Sequence, residues 1–186
     1  MLNPTQIKSI VSAGEGYNAE FKVSIPSNVK GITEEVCAFA NASGGVVLIG
    51  VDDTNNIEGA TIDNSKRSAI QNSINEISPA LRCEFYIVEV DGLNVAVIEV
   101  PSGQNKPYVL SGAIYVRQGP NSQKLTTVEE MRDFFQQASK IYFDDASCME
   151  ANIDTTISKE NIDTFRFEAG LVNVTSDEQL FTNLKL

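Results

Sequence analysis

A chain of 186 residues is long enough to bury a core without disulfides, and its three cysteines, at 37, 83 and 148, are too irregularly spaced for a disulfide framework or a zinc cluster. It contains no histidine, which removes Ser-His and Cys-His nucleophile pairs, His-ligated metals and imidazole acid–base chemistry, and leaves carboxylates, lysine, tyrosine, hydroxyls or an oxygen-held metal for any catalysis. The net charge of −11 opposes bulk attraction to nucleic acid, yet it is uneven: residues 1–124 carry 9 basic and 13 acidic side chains, and residues 125–186 carry 5 and 12.

Unpaired thiols, the lack of a signal peptide and the lack of an apolar run near the ~20 residues of a membrane helix make a cytoplasmic protein without membrane contact the expectation. Along the chain, Asn3-Pro4 opens a first helix, with Asn as N-cap, Pro at the first helical position, and Ile7, Ile10 and Val11 as the apolar face; Gly14 ends it. Residues 17–23 read as a strand, which places Glu20 and Lys22 on one face. Thr33 is the expected N-cap of a second helix. Glu34 and Glu35 then fall in its first turn, Ile32 and Cys37 form a hydrophobic staple, and Val36, Phe39 and Ala40 supply the buried stripe.

Gly44 and Gly45 follow that helix and precede the apolar strand 46–51. A phosphate-cradling loop has the opposite order, strand, then glycines, then helix, so a Walker or Rossmann reading fails and the pair is expected to cap the helix in the left-handed conformation. The strand itself is apolar throughout apart from Gly50, as in an interior strand covered on both faces. A third helix is expected over 65–77, with Ile70, Ile74 and Ile77 on one side. Strands 83–90 and 94–100 join through Asp91-Gly92 as a hairpin. Pro107-Tyr108 leads into a short strand, Ser111-Gly112 turns into strand 113–117, and 118–124 reads as a polar loop. Thr127 and Glu130 make a capping box for a helix with Met131, Phe134, Phe135 and Ala138 on its buried face. A short strand at 141–143 and a helix at 159–169 complete the elements.

Four stretches carry a family resemblance: Glu15 with Glu20-Phe21-Lys22, the block 37–53 (CAFANASGGVVLIGVDD), Pro107-Tyr108, and Tyr115-Val116-Arg117-Gln118-Gly119. In this order and spacing the chain resembles the Schlafen/AlbA-type DNA-binding domain of bacterial transcriptional regulators and animal Schlafen proteins, over about residues 12–135. The resemblance implies an α/β domain, mixed sheet flanked by helices, over residues 1–140. Residues 141–186 then form a connector with a C-terminal helical appendage, leading to a missing module or packing on a partner. It also implies nucleic acid as the partner, DNA ahead of RNA, with no cofactor required for binding.

Some Schlafen members are metal-dependent ribonucleases with three acids, which match Glu15, Glu20 and either Asp52 or Asp53. Those carboxylates would hold Mg²⁺ or Mn²⁺, with Lys22 offsetting charge in the transition state. The alternative makes Glu20 and Lys22 an exposed strand pair and Asp52-Asp53 a turn. For phosphate contact the candidates are Lys22, Lys66, Arg67, Arg117 and Lys124, with Lys106 as an extension. Arg117 ends a strand at a glycine-containing loop, a place for a phosphate contact or for a salt bridge. Lys66 and Arg67 open a helix whose dipole they oppose, a local cost that a ligand would offset. Asn41 and Ser43 suit capping or a ligand equally. An acidic protein-interaction or assembly module is a third reading. The apolar residues of 141–186, from Ile141 to Leu186, raise the expectation of a homodimer through that segment.

Overall fold

The computed structural model describes residues 1–138, 158–171, 176–177 and 179–180. It divides into two units, Met1–Ile141 and Tyr142–Leu186. In the first, helix α1 (Pro4–Ala13) starts on the expected cap: Asn3 Oδ1 accepts from the Gln6 N–H and the Gln6 side chain accepts from the Asn3 N–H. Strand β1 (Ala19–Lys22) follows, then α2 (Lys30–Asn41), β2 (Gly44–Ile49), α3 (Asn64–Ile74), β3 (Glu84–Val90) and β4 (Leu93–Pro101). The short strands β5 (Val109–Leu110), β6 (Ala113–Gln118) and β7 (Asn121–Lys124) and helix α4 (Val128–Gln137) complete it. The fold is α/β, as expected.

Four strands form a mixed sheet in the order β1-β2-β4-β3, with β1 parallel to β2 and the other pairs antiparallel. A second, three-stranded antiparallel sheet has the order β5-β6-β7. Because side chains alternate, the central strands are apolar on both faces, and a separate core lies on each. On one face Val47, Ile49, Ala96 and Ile98 meet Val36 and Phe39 of α2, Ile70 and Ile74 of α3, and Tyr108 and Leu110 at β5. On the other face Val46, Leu48, Val95 and Val97 meet Ile7 and Val11 of α1. The hairpin turn Asp91-Gly92 has both residues at positive φ (52° and 81°), which matches the strand twist; Ser111-Gly112 repeats the device at 50° and 77°.

Several elements depart from the sequence reading. Helix α2 begins three residues before Thr33. The Asn28 side chain accepts from the Lys30 N–H in the turn that opens it, and Thr33 lies buried inside, its hydroxyl donating to the Val29 carbonyl and lying 2.7 Å from Ser73 Oγ. Glu34 and Glu35 are thereby moved out of the first turn. The cap of α2 is Ala42 rather than a glycine. Gly44 is instead the first residue of β2 with φ 83°, where a Cβ would lie 2.7 Å from the Val100 oxygen. At Gly45 a Cβ would lie 2.4 Å from the Phe39 ring.

Residues 121–124 form β7, not a loop; its inward position Ser122 is polar because it faces charge, so no apolar alternation marks it. Helix α4 has its capping box but buries no side chain: Met131 is exposed and Phe134 and Phe135 are half-buried. In the second unit, α5 (Lys159–Glu168) packs Ile162 with Leu171 and Leu180, while Phe165 and Phe167 are exposed. The strand expected at 141–143, and most of the apolar residues on which a dimer was expected, lie outside the described residues. Among the described residues no helix is long and apolar enough to cross a membrane.

Gly45→Ala should cost about 1–3 kcal/mol, because the added methyl meets a Phe39 ring that the core leaves no room to move. Urea unfolding checks this: the midpoint should fall with the m-value unchanged.

Candidate functional site

The residues singled out from the sequence separate into one cluster and several isolated positions. The cluster forms where β1, α2, β6 and β7 meet. Glu20 and Lys22 sit opposite Val47 and Ile49 in the parallel β1–β2 register, on the face covered by α2. Lys22 Nζ is 2.5 Å from Glu20 Oε1, so the expected same-face pair is present, but Glu20 is buried rather than exposed. Glu15 lies just before the strand, where its Oε1 accepts from the Phe21 N–H at 2.7 Å.

Arg117 reaches this point from β6 with its side chain fully buried. Nη1 lies 3.3 Å from Glu20 Oε2, 2.5 Å from Glu35 Oε2 and 3.0 Å from Ser122 Oγ. Nη2 donates to the carbonyls of Gly16 (2.7 Å) and Pro120 (2.6 Å), and the guanidinium lies 4.6 Å from the centroid of the Phe39 ring. Of the two readings of Arg117, a phosphate contact or a surface salt bridge, the geometry favours the ion pair and moves it inside: the guanidinium faces inward onto two carboxylates and two carbonyls. Ser122 also donates to Glu35. Neither Glu35 nor Ser122 was found from the sequence, which assigned Glu35 to the helix dipole; the signal was the α2 start, since a helix begun at Lys30 frees both acids to face β6. Glu34 does so too, accepting from the Tyr115 hydroxyl at 2.9 Å.

The electrostatics follow from burial. Desolvation raises the Glu35 carboxyl above its ordinary range, helped by the Glu20 charge and opposed by Ser122, Arg117 and Lys22. For Lys22, burial acts to lower the ammonium, but the hydrogen bond and charge of Glu20, with Glu35 and Glu15 beyond, carry it above its usual value. The Lys22 side chain is 35% exposed and one named hydrogen bond occupies it, so its charge still reaches the surface. Burial and the Glu34 contact push the Tyr115 hydroxyl up to about 12.

A second polar anchor adjoins the cluster. Asn41, at the end of α2, donates through Nδ2 to the carbonyls of Tyr108 (2.8 Å) and Tyr115 (2.9 Å) and accepts the Tyr108 N–H at 2.7 Å. Its role is to lock the helix to the second sheet, while Ser43 is exposed. Lys106 donates to the Ala42 carbonyl and caps the same helix end.

The remaining predicted residues stand apart. Asp52 holds its own turn, accepting from the N–H groups of Thr54 (2.9 Å) and Asn56 (2.7 Å), bonds that lower its pKa, the Asn56 one most. Asp53 is exposed. Among the described residues no group of three or more Asp, Glu, Cys or His side chains is positioned to hold a metal ion. The three-carboxylate Mg²⁺ or Mn²⁺ site expected from Glu15, Glu20 and Asp52 or Asp53 does not fit this arrangement. Glu15 is spent on a backbone N–H, Glu20 on two cations and Asp52 on a turn. Arg67 stacks on Phe85 at 5.4 Å and donates to its carbonyl, Lys66 opens α3 beside it, and Lys124 is exposed opposite Tyr115 on β7.

Two outcomes test the cluster. Arg117→Met leaves Glu35 without Arg117 and Glu20 with Lys22 as its one cation, and should cost about 3–5 kcal/mol in urea unfolding. Glu35 binds its proton more tightly folded than unfolded, so it costs stability at neutral pH, a cost relieved as pH falls through the raised pKa towards the ordinary 4.5. Glu35→Gln should abolish that part of the pH dependence, read as the difference between the two proteins' unfolding free energies across that window.

The family model described as Schlafen, AlbA_2 matches residues 15–126, a span holding Glu15, Glu20, Lys22, Glu35, Asn41, Arg117 and Ser122. No curated protein is similar. Among solved structures, the DIP2311 protein from Corynebacterium diphtheriae is 19% identical with a TM-score of 0.52, a likeness of fold; the match covers 95% of this chain, which spans 40% of that one. The N-terminal domain of a RecG-related protein from Nitrosomonas europaea is 26% identical, over 68% of this chain and 95% of its own, with a TM-score of 0.48.

Proposed function

Because the chain belongs to the Schlafen, AlbA_2 family, we propose that its first unit binds nucleic acid, DNA before RNA, through phosphate contacts and without cutting it, as part of a transcriptional regulator. The observation that carries this reading is the division of its cations. Lys8, Lys22, Lys30 and Arg117 are each paired with carboxylates. Lys66, Arg67 and Lys124, like Arg82, Lys106 and Arg132, form no ion pair among the described residues, although acids outnumber bases 25 to 14. Arg67 is moreover held in place by the Phe85 ring and carbonyl, so little side-chain freedom is lost when it meets an anion. Cations left unneutralised on an acidic chain are where a phosphate is least opposed. Lys22 adds a partly screened fourth contact. Residues 141–186 serve, in this reading, as the connector to further modules.

The expected behaviour is weak binding with little base preference, strongly reduced by salt, because neutralising phosphates releases counterions. Arg67→Ala and Lys124→Ala should each weaken binding to all sequences alike and take about one from the slope of log K against log salt. Fluorescence anisotropy with labelled duplex and single strands checks this. Absence of binding to any strand at low salt overturns the reading.

A further inference from the structure

A cleft of about 290 Å³ opens on the first unit where the end of α2, the end of β6 and helix α4 come together. Its floor is rigid. Asn41 is fixed by three hydrogen bonds, and Arg117 holds the carbonyl of Gly16, the residue before Tyr17. Tyr17 stands in the wall 47% exposed, a large ring kept in water on a turn that a buried guanidinium pins. Phe134, half-buried, supplies a second aromatic surface.

The polar lining is matched to a neutral, donor-bearing ligand. Gln118, Gln137, Glu130 and Asp133 offer acceptors, and no lysine lines the cleft among the described residues, so its acidic side repels a phosphate. In the same wall Arg117 carries a buried Nε–H without a partner among the described residues, a donor in need of an acceptor. Lys124, which could meet a phosphate, is exposed immediately before the wall residue Leu125.

We propose that this cleft takes an unpaired amino-bearing base (adenine, cytosine or guanine) of a single strand, stacked on Tyr17, its exocyclic amine donating to Asp133. The sugar–phosphate stays outside, next to Lys124. The proposal rests on the nucleic-acid reading and deepens it: phosphates give affinity, and the cleft adds a preference for unpaired strands. Stacking tolerates any base, whereas a carboxylate acceptor distinguishes bases with an amine from thymine and uracil.

The test is anisotropy with labelled homopolymers of dA, dC and dT and with duplex, using variants that circular dichroism shows to be folded. Tyr17→Ala should weaken single-strand binding about tenfold and leave duplex unchanged, while Tyr17→Phe keeps wild-type affinity. Asp133→Asn should remove the advantage of dA and dC over dT. Wild-type affinity for single strands in Tyr17→Ala, with Arg67→Ala still weakened, overturns the cleft and spares the phosphate reading. No binding by the wild-type protein overturns both. If Tyr17→Ala weakens an oligolysine peptide and no strand, the cleft belongs to a basic partner and the proposal falls.

Discussion

A guanidinium taken wholly out of water is tolerable only where its charge and most of its N–H groups are answered locally, and the first unit is arranged around meeting that demand at both terminal nitrogens of Arg117, with Nε alone left without a partner among the described residues. Two carboxylates from different elements, a hydroxyl and two backbone carbonyls converge on it, and an aromatic face lies beneath. Such an arrangement contributes little net stability, since desolvating three charges offsets most of their attraction. Its effect is geometric. Glu20 must face α2, Glu35 must face β6, and the turns at Gly16 and Pro120 must bring their carbonyls inward, so one side chain sets the register between two sheets and a helix.

Asn41 does by neutral hydrogen bonds what Arg117 does by charge. It satisfies both backbone polar groups of Tyr108, whose carbonyl also accepts from the Cys37 thiol, and the carbonyl of Tyr115. The glycines of the same motif serve packing: Gly44 allows β2 to approach the Val100–Ser102 backbone and Gly45 admits the Phe39 ring. Phe39 in turn underlies Arg117. The asparagine, the glycine pair and the arginine are thus parts of one structural device, and the surface chemistry is left to residues outside it.

Local signals in the sequence carried most of the fold. The Asn3 N-cap, the Thr127 capping box and the Asp91-Gly92 and Ser111-Gly112 turns each depend on neighbours a few residues away and each formed as expected, while the apolar strand expected over 46–51 formed as β2 two residues earlier. Readings that depended on distant partners fared otherwise. Thr33 has the chemistry of an N-cap, but its hydroxyl is taken by Val29 and Ser73, the latter 40 residues on. Ser122 makes β7 look like a loop because its inward face meets charge. Arg117 sits where a phosphate contact or a salt bridge was expected alike, and nothing in its own segment tells that Glu35, 82 residues earlier, neutralises it. Glu15 and Glu20 match the spacing of metal-binding acids, while the partners that occupy them are set by tertiary contacts.

The separation of these contacts along the chain also bears on the order in which the molecule assembles. The β3–β4 hairpin closes across two residues and gains seven paired positions at once, so it costs little loop entropy. The contacts of Arg117 with Glu20, Glu35 and Gly16 span 97, 82 and 101 residues. They reward the chain only after β1, α2 and β6 have already met. The charge cluster is therefore completed late: a chain with its sheet formed but β6 misplaced leaves Glu35 without Arg117 and Glu20 with Lys22 as its one cation, an imbalance that only the native placement of β6 removes.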